Sequence, residues 1–424
     1  MDRRQFLRGA AATALAMPAV TALSACSDQG TGTSSAAGTL ARTGGGATRK
    51  VKLGFISLTD CAPLVVALEK GFFAERGLDV TLENGKSWPT VRDKLASGEF
   101  QAAHALFSLP LSVAAGLSKV EVSGIPERPF RIAMMLNNNG QGITLANDLA
   151  TAGYGDPGRA AEVIRSTGAR QFGMTFPGGT HDIWLRYWMA AGGLDPKKDG
   201  LELKPIPPPD MFNNLNQENV RGYCVGEPWN ARAVTKQKGF TVMTSQDIWE
   251  HHPEKALLVN TGFAENQRET LTDLMGALLA AQRWADDPAN TDEVAQLIGV
   301  EKYVNATPDE ISRRLAGEYD LGANAGSKTF SDTRMRFFRD GLTPFPRRAH
   351  ALWFFAQYAR LGMIPSMPEN ARGIVDEIVM TDLYAEVAAR EGVPVPDDDL
   401  APFTVNLDNA TFDPAHPEEE VNRR

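Results

Sequence analysis

The stretch from Gly173 to Gly193 constrains the fold of this chain more than any other. Its first residues form an apolar strand pattern that ends at Phe176. A Pro-Gly-Gly loop follows, and then a helix with Thr180 or Asp182 as its predicted N-cap. A strand, a tight loop and a helix in this order are the building unit of α/β proteins. Glycines let the loop backbone approach a small ligand closely, and free N–H groups at a helix start favour an anion.

The same alternation of strand and helix patterns occupies most of the chain. It predicts an α/β protein with doubly wound, mostly parallel sheets that carry helices on both faces. The alternation restarts after Gln141, and helices return from about Glu265, so two lobes are predicted. Strands are predicted at 51–56, 79–83, 102–107, 131–136, 171–176, 201–206, 222–225 and 240–244, and helices at 62–76, 87–95, 180–191, 268–284, 291–298, 308–316 and 346–361.

The N-terminus resembles an export signal. An Arg-Arg-Gln-Phe-Leu run at residues 3–7 resembles the twin-arginine motif, and an Ala-rich apolar run follows it. A Leu-Ser-Ala-Cys run then resembles a lipobox, in which the Cys26 thiol is acylated. Residues 1–26 are therefore predicted to be a lipoprotein signal peptide, and the Ser-, Thr- and Gly-rich residues 27–49 a flexible linker. No later stretch is apolar enough to span a bilayer, which predicts an extracytoplasmic protein held by an acyl anchor.

The remaining residues are divided between two lobes and a tail. Residues 50–140 and 262–398 are predicted to form lobe 1, residues 141–261 lobe 2, and residues 399–424 an acidic tail with little packing power. The net charge is −9, and removal of the signal peptide makes it more negative. Such a charge argues against nucleic acid or an anionic membrane surface as a partner. Cys61 and Cys224 have no metal-site or CxxC spacing; two free thiols are favoured over a bridge.

Motifs that would carry catalysis are missing from the sequence. There is no GxSxG, Walker A or HExxH pattern, so the sequence contains no motif that supports a hydrolase, NTPase or zinc-enzyme function. Residues 153–158 match GxGxxG by letter, but no apolar strand precedes them and Pro157 stands where a dinucleotide-binding helix would begin. The sequence therefore predicts neither an enzyme nor a resident metal or cofactor.

Polar residues follow several of the predicted strands. In a doubly wound sheet ligands bind at the carboxyl ends of strands, where loops enter helices. Each of these residues could instead have an ordinary structural role, such as that of a core tryptophan or an exposed lysine. Together, however, they supply mainly N–H donors and one cation. The candidates are Trp88, Gln141, His181, Gly226 and Lys255, with Thr90, Gly179, Thr180 and Glu227 in support.

Several long motifs resemble the nitrate- and bicarbonate-binding proteins of ABC importers. They occur in order from about residue 50 to about residue 400. The resemblance implies a type II periplasmic-binding-protein fold, with two lobes, two crossovers and a cleft that closes on the ligand. The motifs lie at 51–60, 87–88, 174–196, 223–231, 252–256 and 345–354.

The resemblance also implies a ligand and its contacts. Transferred residue by residue, the nitrate site of the family falls on Trp88, Gln141, His181, the Gly226 backbone and Lys255. Nitrate accepts hydrogen bonds and donates none, so it requires N–H donors and a cation. Bicarbonate also donates a hydroxyl, and its binders in the family use an acidic residue with calcium. The lysine at position 255 favours nitrate or nitrite.

The resulting hypothesis is a monomeric, lipid-anchored receptor that delivers nitrate or nitrite to a membrane permease and its ATPase. Four alternatives stay open: calcium-assisted bicarbonate binding, cyanate binding, a nitrate sensor, and an enzyme of the pyrimidine-synthase type on the same fold. The cysteine-rich motif of those synthases is absent here, and the export signal favours the importer role over a cytoplasmic sensor.

Overall fold

The computed structural model describes residues 48–423, and the predicted signal peptide, Cys26 and nearly all of the predicted linker lie outside them. The strands are β1 (Arg49–Phe55), β2 (Leu78–Asn84), β3 (Ala102–Leu106), β4 (Phe130–Met135), β5 (Gln141–Ala146), β6 (Gln171–Met174), β7 (Glu202–Pro205), β8 (Gly222–Gly226), β9 (Gly239–Thr244), β10 (Lys255–Asn260), β11 (Glu318–Asp320), β12 (Ser327–Thr329), β13 (Phe403–Val405) and β14 (Ala410–Phe412).

Helices connect and cover these strands. They are α1 (Ala62–Glu69), α2 (Trp88–Ala96), α3 (Leu109–Ala114), α4 (Pro157–Thr167), α5 (Thr180–Ala191), α6 (Met211–Asn216), α7 (Trp229–Thr235), α8 (Ser245–Ile248), α9 (Thr261–Asn266), α10 (Arg268–Asp286), α11 (Thr291–Gly299), α12 (Pro308–Leu315), α13 (Arg348–Arg360), α14 (Ala371–Ile378), α15 (Thr381–Arg390) and α16 (Pro417–Asn422). No helix within the described range has both the length and the apolarity that crossing a bilayer requires.

Two five-stranded sheets organise the fold. The first has the order β2-β1-β3-β10-β4 and the second β7-β6-β8-β5-β9. In each sheet one strand runs against its neighbours: β10 is antiparallel to β3 and β4, and β5 is antiparallel to β8 and β9. The predicted α/β class and doubly wound arrangement are confirmed, while each sheet is mixed rather than uniformly parallel.

The two antiparallel strands were not predicted, and they follow the two crossings between the sheets. Strand β5 begins directly after the first crossing, and β10 directly after the second. Because β10 pairs between β3 and β4, Lys255–Asn260 belongs to the first sheet rather than to the predicted second lobe at 141–261. The physical reason is its apolar run, Ala256–Val259, which is fully buried in the middle of that sheet.

The C-terminal segment packs on the body of the protein, contrary to the predicted tail. Strands β13 and β14 form a hairpin, with Val405 and Phe412 each 1% exposed. Helix α16 lies against α13, where Gln357 donates a hydrogen bond to the buried Glu420 carboxylate at 2.6 Å. A few apolar residues thus suffice to bury a segment whose overall composition is polar, because they sit on the inner face of short elements.

Of two local predictions near the sheets, one changes and one is met. The predicted helix 62–76 ends at Glu69, and Gly71, with φ of +84°, turns the chain into a short 3-10 segment, Ala74–Arg76. Cys61 and Cys224 are both free and buried, as favoured from their spacing.

Candidate functional site

The loop before α5 is held tightly. Gly178 has φ of +71°, and a Cβ at this position would lie 2.8 Å from Ser112 Oγ, so only glycine fits. The Gly178 amide donates to Asp182 Oδ2 at 2.9 Å, and the Tyr358 hydroxyl donates to the Gly178 carbonyl at 2.6 Å. The N-cap of α5 is Gly179, not Thr180 or Asp182 as predicted. The Asp182 side chain lies inside the first turn of the helix, and its carboxylate accepts a hydrogen bond from the Gly178 amide in the loop.

A buried lysine lies between two carboxylates where the lobes meet. Lys255 Nζ donates to Asp60 Oδ2 at 2.8 Å and also to Glu254 Oε1. The other oxygen of Asp60 lies 2.7 Å from His104 Nε2. All four side chains are completely buried. An ammonium group removed from water in this way requires partners of opposite charge, and the two carboxylates supply them.

The five residues predicted to bind the ligand come together around this lysine. The Trp88 ring centroid is 5.7 Å from Lys255 Nζ, and His181 Nε2 is 3.9 Å from Glu254 Oε1. Gln141 and Gly226 are register partners in the pairing of β5 with β8. A Cβ at Gly226 would lie 3.7 Å from His181 Nε2. The site therefore combines both sheets and the first crossing.

The four supporting residues divide into two groups. Thr180 accepts a hydrogen bond from Gln141 Nε2 at 3.2 Å, and Gly179 begins the helix that carries His181. Thr90 is exposed and bonds the N-cap Ser87 of α2 through its hydroxyl at 2.8 Å. Its role is structural, because capping α2 positions Trp88 at the first helical residue.

Glu227 also lies apart from the lysine. Its carboxylate is buried against Arg314, whose Nε is 3.3 Å away, and it accepts a hydrogen bond from the Ala231 amide at 3.1 Å. The Glu227 carboxylate therefore contacts Arg314 and the Ala231 amide rather than the lysine cluster. The Thr59 amide donates to the Glu227 carbonyl at 2.8 Å, which ties the two lobes together next to the site.

Burial and charge act in opposite directions on the carboxylates. Burial alone would raise the pKa of Asp60, but Lys255 and His104 outweigh it and lower that pKa to about 2. For Glu254 burial prevails, and its pKa is raised although Lys255 opposes the shift. Burial would lower the pKa of Lys255, yet its two carboxylate neighbours raise it. The lysine is therefore charged, Asp60 is ionised, and Glu254 is the group that takes up a proton most easily.

The histidines are neutral for a similar reason. Burial lowers the pKa of His181 well below its usual value, and nearby Lys255 lowers it further. Burial also lowers the pKa of His104, against the attraction of Asp60. His181 Nδ1 lies 2.7 Å from the Thr175 hydroxyl, so a proton on Nε2 would face the cluster if that hydroxyl is the donor.

Several polar atoms of the cluster are buried without a hydrogen-bond partner in the described part of the chain. Such atoms are costly unless a ligand or water satisfies them. Two are nitrogens that can donate to an anion, Trp88 Nε1 and His181 Nε2. Three are acceptors: Gln141 Oε1, Glu254 Oε2 and His104 Nδ1, since the other nitrogen of His104 bonds the Asp60 carboxylate.

Three members of the cluster were absent from the sequence-based candidate list. Asp60 follows the carboxyl end of β1. The expectation that ligands bind at the carboxyl ends of strands, which identified Trp88, could therefore have identified Asp60 as well. Glu254 precedes Lys255, and strand alternation would place neighbouring side chains on opposite faces. The alternation does not apply to Glu254, because this residue lies in the crossing segment, before β10 begins at Lys255. His104 stands inside a buried strand and carried no signal.

Comparisons with known proteins show what the chain is similar to. Residues 44–299 match the NMT1-like family. The chain is 36% identical to the nitrate/nitrite binding protein NrtA of Synechococcus elongatus, over 98% of this chain and 96% of that protein. It is 29% identical to the bicarbonate-binding protein CmpA of a Synechococcus species, over 87% of this chain and 85% of that one.

A solved structure matches at the level of the whole fold. The crystal structure of the periplasmic nitrate-binding protein NrtA from Synechocystis superposes with a TM-score of 0.82 at 32% identity. The match covers 89% of this chain and 98% of that one. Since sequence and fold agree over nearly the full length, the chain belongs to the NMT1-like family and, within it, to the family of nitrate/nitrite-binding proteins.

Proposed function

We propose that this protein captures nitrate or nitrite in the cluster around Lys255 and delivers it to an ABC permease. The observation that carries the proposal is the fully buried Lys255 ammonium beside two unpartnered ring nitrogens, Trp88 Nε1 and His181 Nε2. In the tautomer in which the Thr175 hydroxyl donates to His181 Nδ1, the imidazole proton lies on Nε2, so both nitrogens are donors. An anion that only accepts hydrogen bonds can use all three as donors. In this assignment Gln141 and the Gly226 backbone complete the rim of the site.

Affinity for so small a ligand depends on charge. A four-atom ligand gains at most about 1.5 kcal/mol per atom, or about 6 kcal/mol, which falls short of the roughly 8 kcal/mol that micromolar binding requires. Charge-assisted hydrogen bonds in a site without bulk water can supply the difference. Lys255 is therefore the residue on which the function depends most.

Hydrogencarbonate is the second candidate, because one atom of the site favours it. Glu254 Oε2 is a buried acceptor without a partner, and hydrogencarbonate offers a hydroxyl donor that nitrate lacks. Calcium could assist such a ligand, although no group of three or more His, Cys, Asp or Glu side chains in the described residues is arranged to hold a metal. Cyanate remains a third possible ligand.

The test is calorimetric titration of the purified full chain with nitrate, nitrite, hydrogencarbonate and cyanate, each with and without calcium. Nitrate or nitrite should release or absorb heat at a stoichiometry of one, independently of calcium. Calcium-dependent hydrogencarbonate binding without any nitrate signal would reject the nitrate assignment.

A variant at Gly226 probes the position of the ligand. An alanine Cβ there would lie 3.1 Å from Leu58 Cδ2, 3.5 Å from Asp60 Oδ2 and 3.7 Å from His181 Nε2. We expect Gly226→Ala to weaken nitrate binding about tenfold, roughly 1.4 kcal/mol, by narrowing the site. Gly262→Ala, on the surface helix α9, is the matched control, and equal affinities of the two variants would remove Gly226 from the site.

The role in transport follows from family membership and from the N-terminal signals. In this proposal the protein is a transport component and not an enzyme, it acts as a monomer outside the cytoplasmic membrane, and its partners are a permease and an ATPase. It is exported by the twin-arginine route and anchored through acylated Cys26. The negative net charge supports a lipid anchor over electrostatic attachment to an anionic surface.

Replacement of Cys26 tests the anchor. Cys26→Ser is expected to move the protein from the membrane fraction to the soluble extracytoplasmic fraction, because the acylated thiol is lost. Fractionation followed by immunodetection measures the change, and Cys61→Ser serves as the control because that thiol is buried in the folded body. Unchanged membrane association of Cys26→Ser would rule out the anchor.

A further inference from the structure

The carboxyl group of Glu254 has two different oxygens. Oε1 contacts the Lys255 ammonium, whereas Oε2 is buried without a hydrogen-bond partner in the described part of the chain. A nitrate ion in this cluster would bring further acceptor oxygens and no donor. Two acceptors cannot satisfy each other, but a proton on Oε2 would turn this oxygen into a donor.

The charges of the cluster lead to the same conclusion. Asp60 and Lys255 neutralise each other, so an ionised Glu254 leaves the buried cluster with one negative charge. An added nitrate would make the charge −2, in a place where solvent screening is weak. Uptake of one proton removes the extra charge as the anion enters, at a cost lower than that of a second buried negative charge.

We propose that nitrate binding is coupled to the uptake of one proton by Glu254, which then donates its O–H to the bound anion. The proton comes from the buffer, no covalent bond other than O–H forms, and no electron is transferred. The inference rests on the proposed function, since it concerns the same site. It makes Glu254 a specificity-determining residue that selects an acceptor-only anion when protonated and a hydroxyl-bearing anion when ionised.

The groups that face Glu254 support this assignment. Lys255 on β10 contacts it directly, Asp60 approaches from the turn after β1, and His181 approaches from the first turn of α5. The Thr180 hydroxyl at the start of α5 also faces the carboxylate and lowers the pKa of Glu254, but burial outweighs it. Cys224 on β8 is close enough to feel the charge of Glu254, and burial raises the pKa of its thiol, which stays neutral. His104 lies behind Asp60 on β3, and His252 lies two residues before Glu254 in the crossing segment. Burial lowers the pKa of all three histidines and raises that of Glu254, so the carboxylate and not an imidazole is the acceptor for the proton.

The sign of the pH dependence follows. A bound anion disfavours the ionised carboxylate and therefore raises the pKa of Glu254 further. By linkage, nitrate affinity is highest below the pKa of Glu254 in the free protein and falls as the pH rises above it. The fall approaches about tenfold per pH unit and ends at the pKa of the nitrate complex.

The experiment is calorimetric titration of the purified full chain with nitrate between about pH 6 and pH 9. Each pH is measured in two buffers of different ionisation enthalpy, because protons drawn from the buffer add its ionisation heat to the signal. We expect the wild-type heat to differ between buffers by an amount that approaches one proton per nitrate. Glu254→Gln, which keeps a donor in place, should show no buffer difference and an affinity independent of pH.

Two further measurements complete the design. Glu420→Gln is the control, because it replaces another buried glutamate, which lies on α16 and contacts Gln357 of α13. This variant should retain the wild-type difference in heat between the two buffers. Infrared difference spectra of the wild type should gain a protonated-carboxyl C=O band on addition of nitrate. That spectrum decides the question even if Glu254→Gln does not fold.

The outcomes separate the two proposals. Nitrate binding with the same heat in both buffers and no new carboxyl band would overturn the proton coupling and leave the proposed function intact. Proton uptake that persists in Glu254→Gln would overturn the assignment to Glu254. Failure of nitrate to bind the wild type at any pH would instead overturn the proposed function itself.

Discussion

Replacement of Lys255 by alanine is expected to weaken nitrate binding by about 2–5 kcal/mol, the usual cost of truncating one partner of a buried charge pair. The lysine is the only cation in direct contact with the cluster's carboxylates in the described residues, so no neighbouring group can replace it. Folding should suffer as well, because Asp60 and Glu254 would then face each other without a counterion, which costs about 3–5 kcal/mol.

Calorimetric titration measures the loss of affinity, and urea unfolding measures the loss of stability. Lys255→Met keeps the apolar stem and separates loss of charge from loss of packing volume. Lys302→Ala is the control, since that lysine is exposed and its contacts, Glu69 at 3.5 Å and the Tyr303 ring at 4.7 Å, do not belong to the cluster. A wild-type affinity for nitrate in both Lys255 variants would remove the lysine from the site.

Asp60→Asn is expected to act in opposite directions on stability and on binding. Removing one partner of the buried Lys255 pair should lower the free energy of unfolding by about 3–5 kcal/mol. With Glu254 protonated in the nitrate complex, nitrate would then be the anion that neutralises the lysine, so its affinity should rise by about tenfold or 1.4 kcal/mol. The thermal stabilisation caused by saturating nitrate should accordingly be larger in the variant than in the wild type.

Thermal unfolding with and without nitrate, combined with titration, provides both numbers. Asp79→Asn removes an exposed carboxylate of β2 and should change neither of them. The prediction assumes that the Asp60 carboxylate and nitrate compete for the Lys255 ammonium. A loss of nitrate affinity together with stability in Asp60→Asn would contradict this competition and would mean that Asp60 helps to hold the bound anion.

Much of the fold could be predicted because local patterns are strong in this chain. The helix Thr180–Ala191 was predicted with its observed ends, and the strand Gly222–Gly226 within one residue. The helix predicted over 87–95 is observed as Trp88–Ala96, with Ser87 as its N-cap. Amphipathic periodicity and capping are short-range properties, so the residues that determine them lie close together in the sequence.

Long-range pairing could not be predicted in the same way. Strands β5 and β10 each run antiparallel inside a sheet built from distant segments, and nothing in their own residues specifies that partner. The C-terminal hairpin has a similar origin, since its Phe403 packs against Trp249, which follows α8, and against His350 of α13, residues far away along the chain. Non-local packing decided both features.

By itself the sequence determined the α/β class, the strand–loop–helix unit at Gly173–Gly193 and a set of donors that the fold brings together around Lys255. Only the tertiary structure decided that Lys255 is held by Asp60 and Glu254, side chains 195 and 1 residues away along the chain. The physical reason is that residue type and spacing specify what a side chain can do, whereas its charge state depends on burial and on neighbours that folding brings together. The loop at Pro177–Gly179 thus leads into the helix that carries His181, whereas the charges around Lys255 are set at the second crossing.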